Sequence, residues 1–211
     1  MPKKLQLNVN LYFDPAYRRY HKADYVEKSF ELIDEANKVL QLPSLDTKIE
    51  LVASKLRLYN STKRHRTLAR NVKKVWKLLQ PPFEIAGQRN PRKYFKTAHI
   101  YLTVGGIVYE RSVLGSICSH DKPALSIVRS SFSQEQTAIN LAHGIGHLLG
   151  MHHDHEGESR NGLVCADRPV SENLMSYGYN RKEWSECSNA DFRNYYETIK
   201  RKDGRFCLEK M

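Results

Sequence analysis

The 211 residues carry 34 Lys and Arg against 23 Asp and Glu, a formal net charge of +11, and 40% of them are hydrophobic. That length and apolar share suit one substantial core with no composition shift to divide it, so a single domain over 1–211 is expected. No apolar run approaches the roughly 20 residues that a spanning helix needs, which excludes a chain threaded through a membrane by helices.

Met1-Pro2-Lys3-Lys4 leads straight into strand-like sequence instead of a signal-peptide core, which reads as a mature domain whose leading segments have been removed. Leu5 to Phe13 alternates as a strand, and Tyr20 to Leu40 repeats Val26, Phe30, Ile33 and Val39 at helical spacing until Pro43 stops it. Thr47 to Tyr59 is a β-branched, alternating strand, and Asn60-Ser61-Thr62 is a glycosylation sequon. Lys63 to Lys77 sets basic residues among Leu68, Val72, Val75 and Trp76; the apolar positions suit core packing and the charges a solvated face, so no specific nucleic-acid partner is expected. The segment reads as an amphipathic basic helix to Gln80 that Pro81-Pro82 breaks, and His99 to Val104 reads as a buried strand. Ile107 to Val113 is a candidate edge strand and Ala124 to Arg129 a further strand. Ser133 to Leu149 is a long helix, with Ser133 as N-cap and Gln136 completing a capping box. Past Gly150 the pattern dissolves until Asn189 to Arg201, whose Phe192, Tyr195, Tyr196 and Ile199 suit a last helix. Strands alternating with helices predict an α/β sheet.

Cys118, Cys165, Cys187 and Cys207 include no C-x-x-C pair, which argues for two disulfides over a ribbon-type zinc site and leaves three connectivities open. Disulfides place the chain in an oxidising, extracellular compartment.

Five of the nine histidines fall between His143 and His155. His143 and His147, four apart, leave one helix face a turn from each other, close enough to share an ion. The run continues as Leu148-Leu149-Gly150-Met151-His152-His153-Asp154, with Gly150 where a helix ends in a left-handed residue and the chain swings back. That reversal lets a third histidine reach the same metal, and spacing alone leaves His152, His153 and His155 all eligible.

His143-Gly144-Ile145-Gly146-His147-Leu148-Leu149-Gly150-Met151-His152-His153 resembles the metzincin signature His-Glu-x-x-His-x-x-Gly-x-x-His, and the following Asp154 makes it similar to the adamalysin (reprolysin, ADAM-like) branch, including its venom and salivary members. It departs at one position, Gly144, where the family carries its catalytic glutamate. Asn173-Leu174-Met175-Ser176-Tyr177-Gly178 resembles the family's Met-turn, and the order of elements is similar over nearly the whole chain. The resemblance implies a metzincin fold: a five-stranded mixed sheet, a long active-site helix, an N-terminal subdomain over about 1–153 and a smaller C-terminal one over about 154–211. It implies zinc on His143, His147 and His153, with His152 and His155 exposed, and Met175 beneath the imidazoles. It also implies pairing of Cys118 with Cys207, leaving Cys165 with Cys187. Peptide substrates would lie along the edge strand near Ile107, Val108 and Tyr109, with a pocket walled by Tyr177, Gly178 and Tyr179.

Three imidazoles leave zinc an open position for water, whose pKa the ion lowers towards about 7. The glutamate that would take that water's proton is generally worth about 10²- to 10⁴-fold, and Gly144 cannot act in its place. Asp154 and Glu156 are the nearest carboxylates in sequence, but both follow the chain reversal, and in the family the aspartate serves structure. The expectation is therefore a secreted, monomeric zinc endopeptidase domain acting on extracellular proteins, with turnover abolished or strongly impaired in this chain. Two accounts explain Gly144: a natural pseudoprotease that uses its zinc-containing cleft to bind proteins, or an enzyme deliberately inactivated, towards which the leading Met1 leans. A structural zinc protein would instead need a fourth protein ligand, for which His152 and His155 are candidates.

Overall fold

Ten residues of alternating character, Lys4–Phe13, form the first strand, β1, with Leu5, Leu7, Val9 and Leu11 all turned into the core. In the computed structural model the residues described are 1–58, 96–104, 110–120, 123–131, 133–154, 172–176 and 181–209. The basic segment at 63–77, the sequon at Asn60, Cys165 and the proposed peptide-contact residues Ile107, Val108, Tyr109, Tyr177, Gly178 and Tyr179 lie outside them, as do His155 and Glu156.

Asp14 caps the helix that follows β1, accepting from the Tyr17 amide at 2.6 Å, while Pro15 takes the first turn, where its missing N–H costs nothing. The other Asp14 oxygen accepts from Thr103 Oγ1 at 2.6 Å, tying this corner to the third strand. The helix α1 (Pro15–His21) ends at a 3-10 turn over Lys22–Asp24, where Lys22 has φ +53°, and the chain re-enters a helix, α2 (Tyr25–Leu40). The single helix expected from Tyr20 is therefore two. Nor is its inward stripe the expected one: α2 buries Ser29, Leu32, Ile33, Ala36 and Leu40, a continuous i, i+3, i+4, i+7 face, and leaves Val26 and Phe30 37% and 47% exposed.

The remaining strands are β2 (Lys48–Leu58), β3 (Thr97–Thr103), β4 (Glu110–Ser112) and β5 (Leu125–Arg129). They form one five-stranded sheet in the order β2-β1-β3-β5-β4. Strands β1, β2, β3 and β5 run parallel, whereas β4 is antiparallel to β5 at the edge, in the register Glu110↔Val128, Arg111↔Ile127 and Ser112↔Ser126. Helix α2 packs against β2 and against the long helix α3 (Gln134–Leu148), which also contacts β4 and β5. Ser133 Oγ accepts from the Gln136 amide at 3.2 Å, but the Gln136 side chain turns forward to Asn140 Oδ1, so only half of the expected capping box forms.

The last helix, α4 (Glu186–Asp203), begins at the Ser185 cap and ends at Gly204, φ +76°. Cys118 and Cys207 are disulfide-bonded across a Cα separation of 5.3 Å, fastening the loop after β4 to the segment beyond α4. Cys187 is disulfide-bonded as well. Among the described residues no helix is long and apolar enough to cross a membrane.

Candidate metal centre

Helix α3 carries two of the three histidines, and its C-terminus delivers the third. Gly150 adopts φ +87°, its amide donates to the His147 carbonyl at 2.9 Å, and the Met151 amide reaches back to Gly146 at 3.0 Å, the paired bonds of a Schellman reversal. A Cβ on Gly150 would stand 2.7 Å from Cγ of Tyr195, so both conformation and room demand glycine here. The chain turns back, and His153 faces the helix.

His143 Nε2 and His147 Nε2 lie 3.2 and 3.0 Å from His153 Nε2. A tetrahedral zinc ion with Zn–N of about 2.0–2.1 Å places its ligand nitrogens about 3.3 Å apart, so His153 stands from each partner at a zinc-site spacing, and the three ligand atoms all lie within 4.8 Å of one another. The opposite ring nitrogens are anchored: His143 Nδ1 donates to the Leu174 carbonyl at 2.7 Å and His147 Nδ1 to that of Met151 at 2.8 Å. Donation from Nδ1 leaves the Nε2 lone pair for a metal, the outer support expected of ligating imidazoles. Burial pushes the His143 pKa well below its ordinary value, with His147, Arg181 and His153 adding to the effect and the Leu174 bond opposing it. The ring is therefore neutral, the ligating form.

Met175 is fully buried, and its sulfur would stand 2.7 Å from a Cβ on Gly146, directly under the turn between His143 and His147. Asp154 is drawn away from the triad: it accepts from Ser185 Oγ at 2.6 Å, and its amide donates to the Met175 carbonyl at 3.2 Å. It fastens the methionine segment to the start of α4, so it is a structural residue. His152 is half-buried rather than exposed, and its amide donates to Asp191 Oδ2. Among the described residues, the His, Cys, Asp and Glu side chains able to hold one ion together are His143, His147 and His153.

Sequence reasoning missed the residues around Gly144. A Cβ there would meet Ser126 Oγ at 2.5 Å, Ser112 Oγ at 3.0 Å and Glu110 Oε1 at 3.1 Å. Ser112 and Ser126, cross-strand partners, both donate to Glu110 Oε1. Glu110 Oε2 lies 3.8 Å from His143 Nε2, with the side chain 10% exposed. Burial raises the Glu110 pKa to about 7, against the opposing pull of Ser112, Ser126, Arg181 and Arg111. Arg181 lies behind the site, its Nη2 donating to Asn140 Oδ1 at 2.5 Å and its Nη1 3.1 Å from His143 Nδ1. Only the sheet register could have located this group from sequence.

Residues 16–210 match the reprolysin (M12B) family of zinc metalloproteases. The chain belongs to the reprolysin family. Among curated proteins this reprolysin domain is similar to a zinc metalloproteinase-disintegrin-like protein of Cerberus rynchops, 31% identical over 107 residues, which cover 50% of this chain and 17% of that protein. The chain thus accounts for a minor part of that relative's length. Among solved structures it is similar to metalloproteinase-II from Bacteroides fragilis, with TM-score 0.54 and 17% identity, covering 90% of this chain and 53% of that one. It is also similar to a chain of a chaperone-substrate complex, with TM-score 0.56 and 10% identity, covering 93% and 35%. At such identities the two structures speak to the fold alone, an α/β fold of metzincin type.

Proposed function

We propose that residues 1–211 form a single secreted, monomeric catalytic domain of a zinc endopeptidase that hydrolyses peptide bonds in extracellular proteins, its C-terminal subdomain starting near Asp154 and carrying the Met-turn. His143, His147 and His153 would hold the ion through Nε2, and Met175 would support the helix from which two of them project. When bound, zinc would polarise the peptide carbonyl and acidify the attacking water. The observation that carries this reading is the convergence of three imidazoles whose ligand nitrogens lie within 4.8 Å of one another, two of them on rings fixed by backbone carbonyls. Peptides would run along the edge strand past Ile107, Val108 and Tyr109, towards a pocket at Tyr177, Gly178 and Tyr179. With Gly144 in the helix, α3 itself contributes no proton acceptor, so a chain that relied on α3 for that proton would turn over far more slowly than one with glutamate there.

The test is zinc content of the purified chain together with cleavage of a broad protein substrate before and after chelation. One zinc per chain, with cleavage that chelation abolishes, supports the reading. Stoichiometric zinc with no cleavage, even when a carboxylate is returned to the helix, would favour a protein-binding module that uses the cleft to hold or mask its partners. Absence of bound zinc sinks the metal centre.

A further inference from the structure

We propose that Glu110, carried on the edge strand β4, is the proton-accepting carboxylate of this cleft and occupies the room that Gly144 leaves on α3. The inference rests on the reading of the histidine triad as a zinc centre for peptide hydrolysis.

The placement is specific. Glu110 Oε2 is 3.8 Å from His143 Nε2, and Oε1 lies 3.1 Å from where a side chain at position 144 would begin. The carboxylate therefore enters the region that a glutamate on α3 would fill, but from the sheet side. It is held there: Ser112 and Ser126, opposite each other in the β4–β5 register, both donate to Oε1, leaving Oε2 as the oxygen turned towards the triad. A buried carboxylate is costly unless its partners compensate, and a purely structural edge strand has no need of one beside three imidazoles.

Glu110 flanks the triad without joining it. Its oxygens are outside the set of ligand atoms lying within 4.8 Å of one another, which comprises the three histidines alone among the described residues. A fourth protein ligand would close the site, whereas a flanking carboxylate leaves a position for water.

In hydrolysis the water oxygen bonds to the peptide carbonyl carbon as Glu110 takes one of its protons. Glu110 then gives that proton to the amide nitrogen as the C–N bond breaks. One water has been added across the peptide bond, a carboxylic acid and an amine leave, and Glu110 is again a carboxylate.

The test uses the zinc-loaded full chain, Glu110→Gln, and the exchange Glu110→Gly/Gly144→Glu. Each is measured for zinc content, thermal midpoint, cleavage of dye-labelled casein and affinity for acetohydroxamic acid, whose hydroxyl proton needs an acceptor beside the ion. In Glu110→Gln, cleavage is expected to fall by about 10²- to 10⁴-fold and hydroxamate affinity by about tenfold or more, at unchanged zinc content and midpoint. The exchange variant is expected to recover both, because the carboxylate returns from the helix. Unchanged hydroxamate affinity in Glu110→Gln overturns the role of Glu110 and leaves the zinc peptidase reading standing. No cleavage by the parent or the exchange variant overturns the peptidase reading, and the hydroxamate then decides Glu110 alone. If Glu110→Gln fails to fold, an exchange variant that binds zinc but neither cleaves nor holds hydroxamate overturns the proposal. A chain that takes up no zinc overturns both.

Discussion

The sulfur of Met175 occupies the space that a methyl group on Gly146 would need, 2.7 Å from the position of that Cβ, with Met151 Sδ and Trp184 Cζ3 each at 3.2 Å. The methionine segment and the helix thus meet at a residue between His143 and His147, next to the latter. Gly146→Ala removes a helix glycine, which favours the helix by about 1 kcal/mol, but overpacks this contact at a cost of about 1–3 kcal/mol. The expected result is a chain of equal or lower stability with weaker zinc binding, since the displaced turn carries both ligands. Chemical denaturation and a competitive zinc titration check it, and a stabilised variant with unchanged zinc affinity would refute it.

Zinc removal should destabilise the fold, because the triad joins α3 to the loop beyond Gly150, and a ligand that binds only the folded chain adds stability by mass action. At free zinc about 100 times the dissociation constant the gain is about 2.7 kcal/mol. Calorimetry with and without chelator should show a lower midpoint for the stripped chain, recovered on adding zinc; identical midpoints would argue against a native metal site.

The Cys118–Cys207 bond closes a loop of 89 residues in sequence separation. In the chain-entropy account a loop of that size is worth roughly 4–5 kcal/mol, and removing a native disulfide typically costs about 2–5 kcal/mol. Cys118→Ser/Cys207→Ser should therefore unfold at markedly lower urea concentration while its m-value reports a more expanded unfolded state. An unchanged midpoint would mean that packing of Phe192, Tyr196 and Phe206 already holds this end.

What the sequence made legible was local. The Ser133 cap, the four-residue spacing of His143 and His147 and the reversal at Gly150 each depend on neighbours within a turn or two, and the structure places them accordingly. The break between α1 and α2 is equally local: Asp14-Pro15 starts a helix before Tyr20, but no residue type at Lys22 announces a positive φ. Val26 and Phe30 lie on the stripe that faces solvent, and apolar spacing does not reveal which of two adjacent stripes meets the sheet. Glu110 was beyond reach for a different reason. Its relation to Gly144 passes through the register that sets Ser112 opposite Ser126, and register is a property of the folded sheet.

Gly144 is as closely surrounded as Gly146, but by hydroxyls and a carboxylate. Gly144→Ala should lower stability despite alanine's better helix propensity, because its Cβ meets Ser126 Oγ at 2.5 Å, and turning that hydroxyl away costs its bond to Glu110. Adding Ser126→Ala removes the obstructing oxygen, so the double variant should recover part of the loss. A double-mutant cycle by thermal unfolding measures this; additive effects would mean that the two residues do not press on each other.

His99, buried on β3 with its Nδ1 3.2 Å from the Tyr12 hydroxyl, has its pKa lowered to about 3 by burial, with the Arg57 charge adding to the effect. The unfolded chain binds this proton near the ordinary value of 6.5 and the folded chain does not. Above that pH both states are neutral here and His99 contributes no slope. As pH falls from about 6.5 towards about 3, the unfolded state gains the proton and folding stability declines by up to about 1.4 kcal/mol per pH unit. His99→Gln cannot be protonated, so between pH 6 and 4 its stability should fall less steeply than that of the parent, whatever its absolute value. Urea titrations across that window compare the two slopes, and parallel curves would mean that His99 is protonated in the folded chain and that its burial carries no acid penalty.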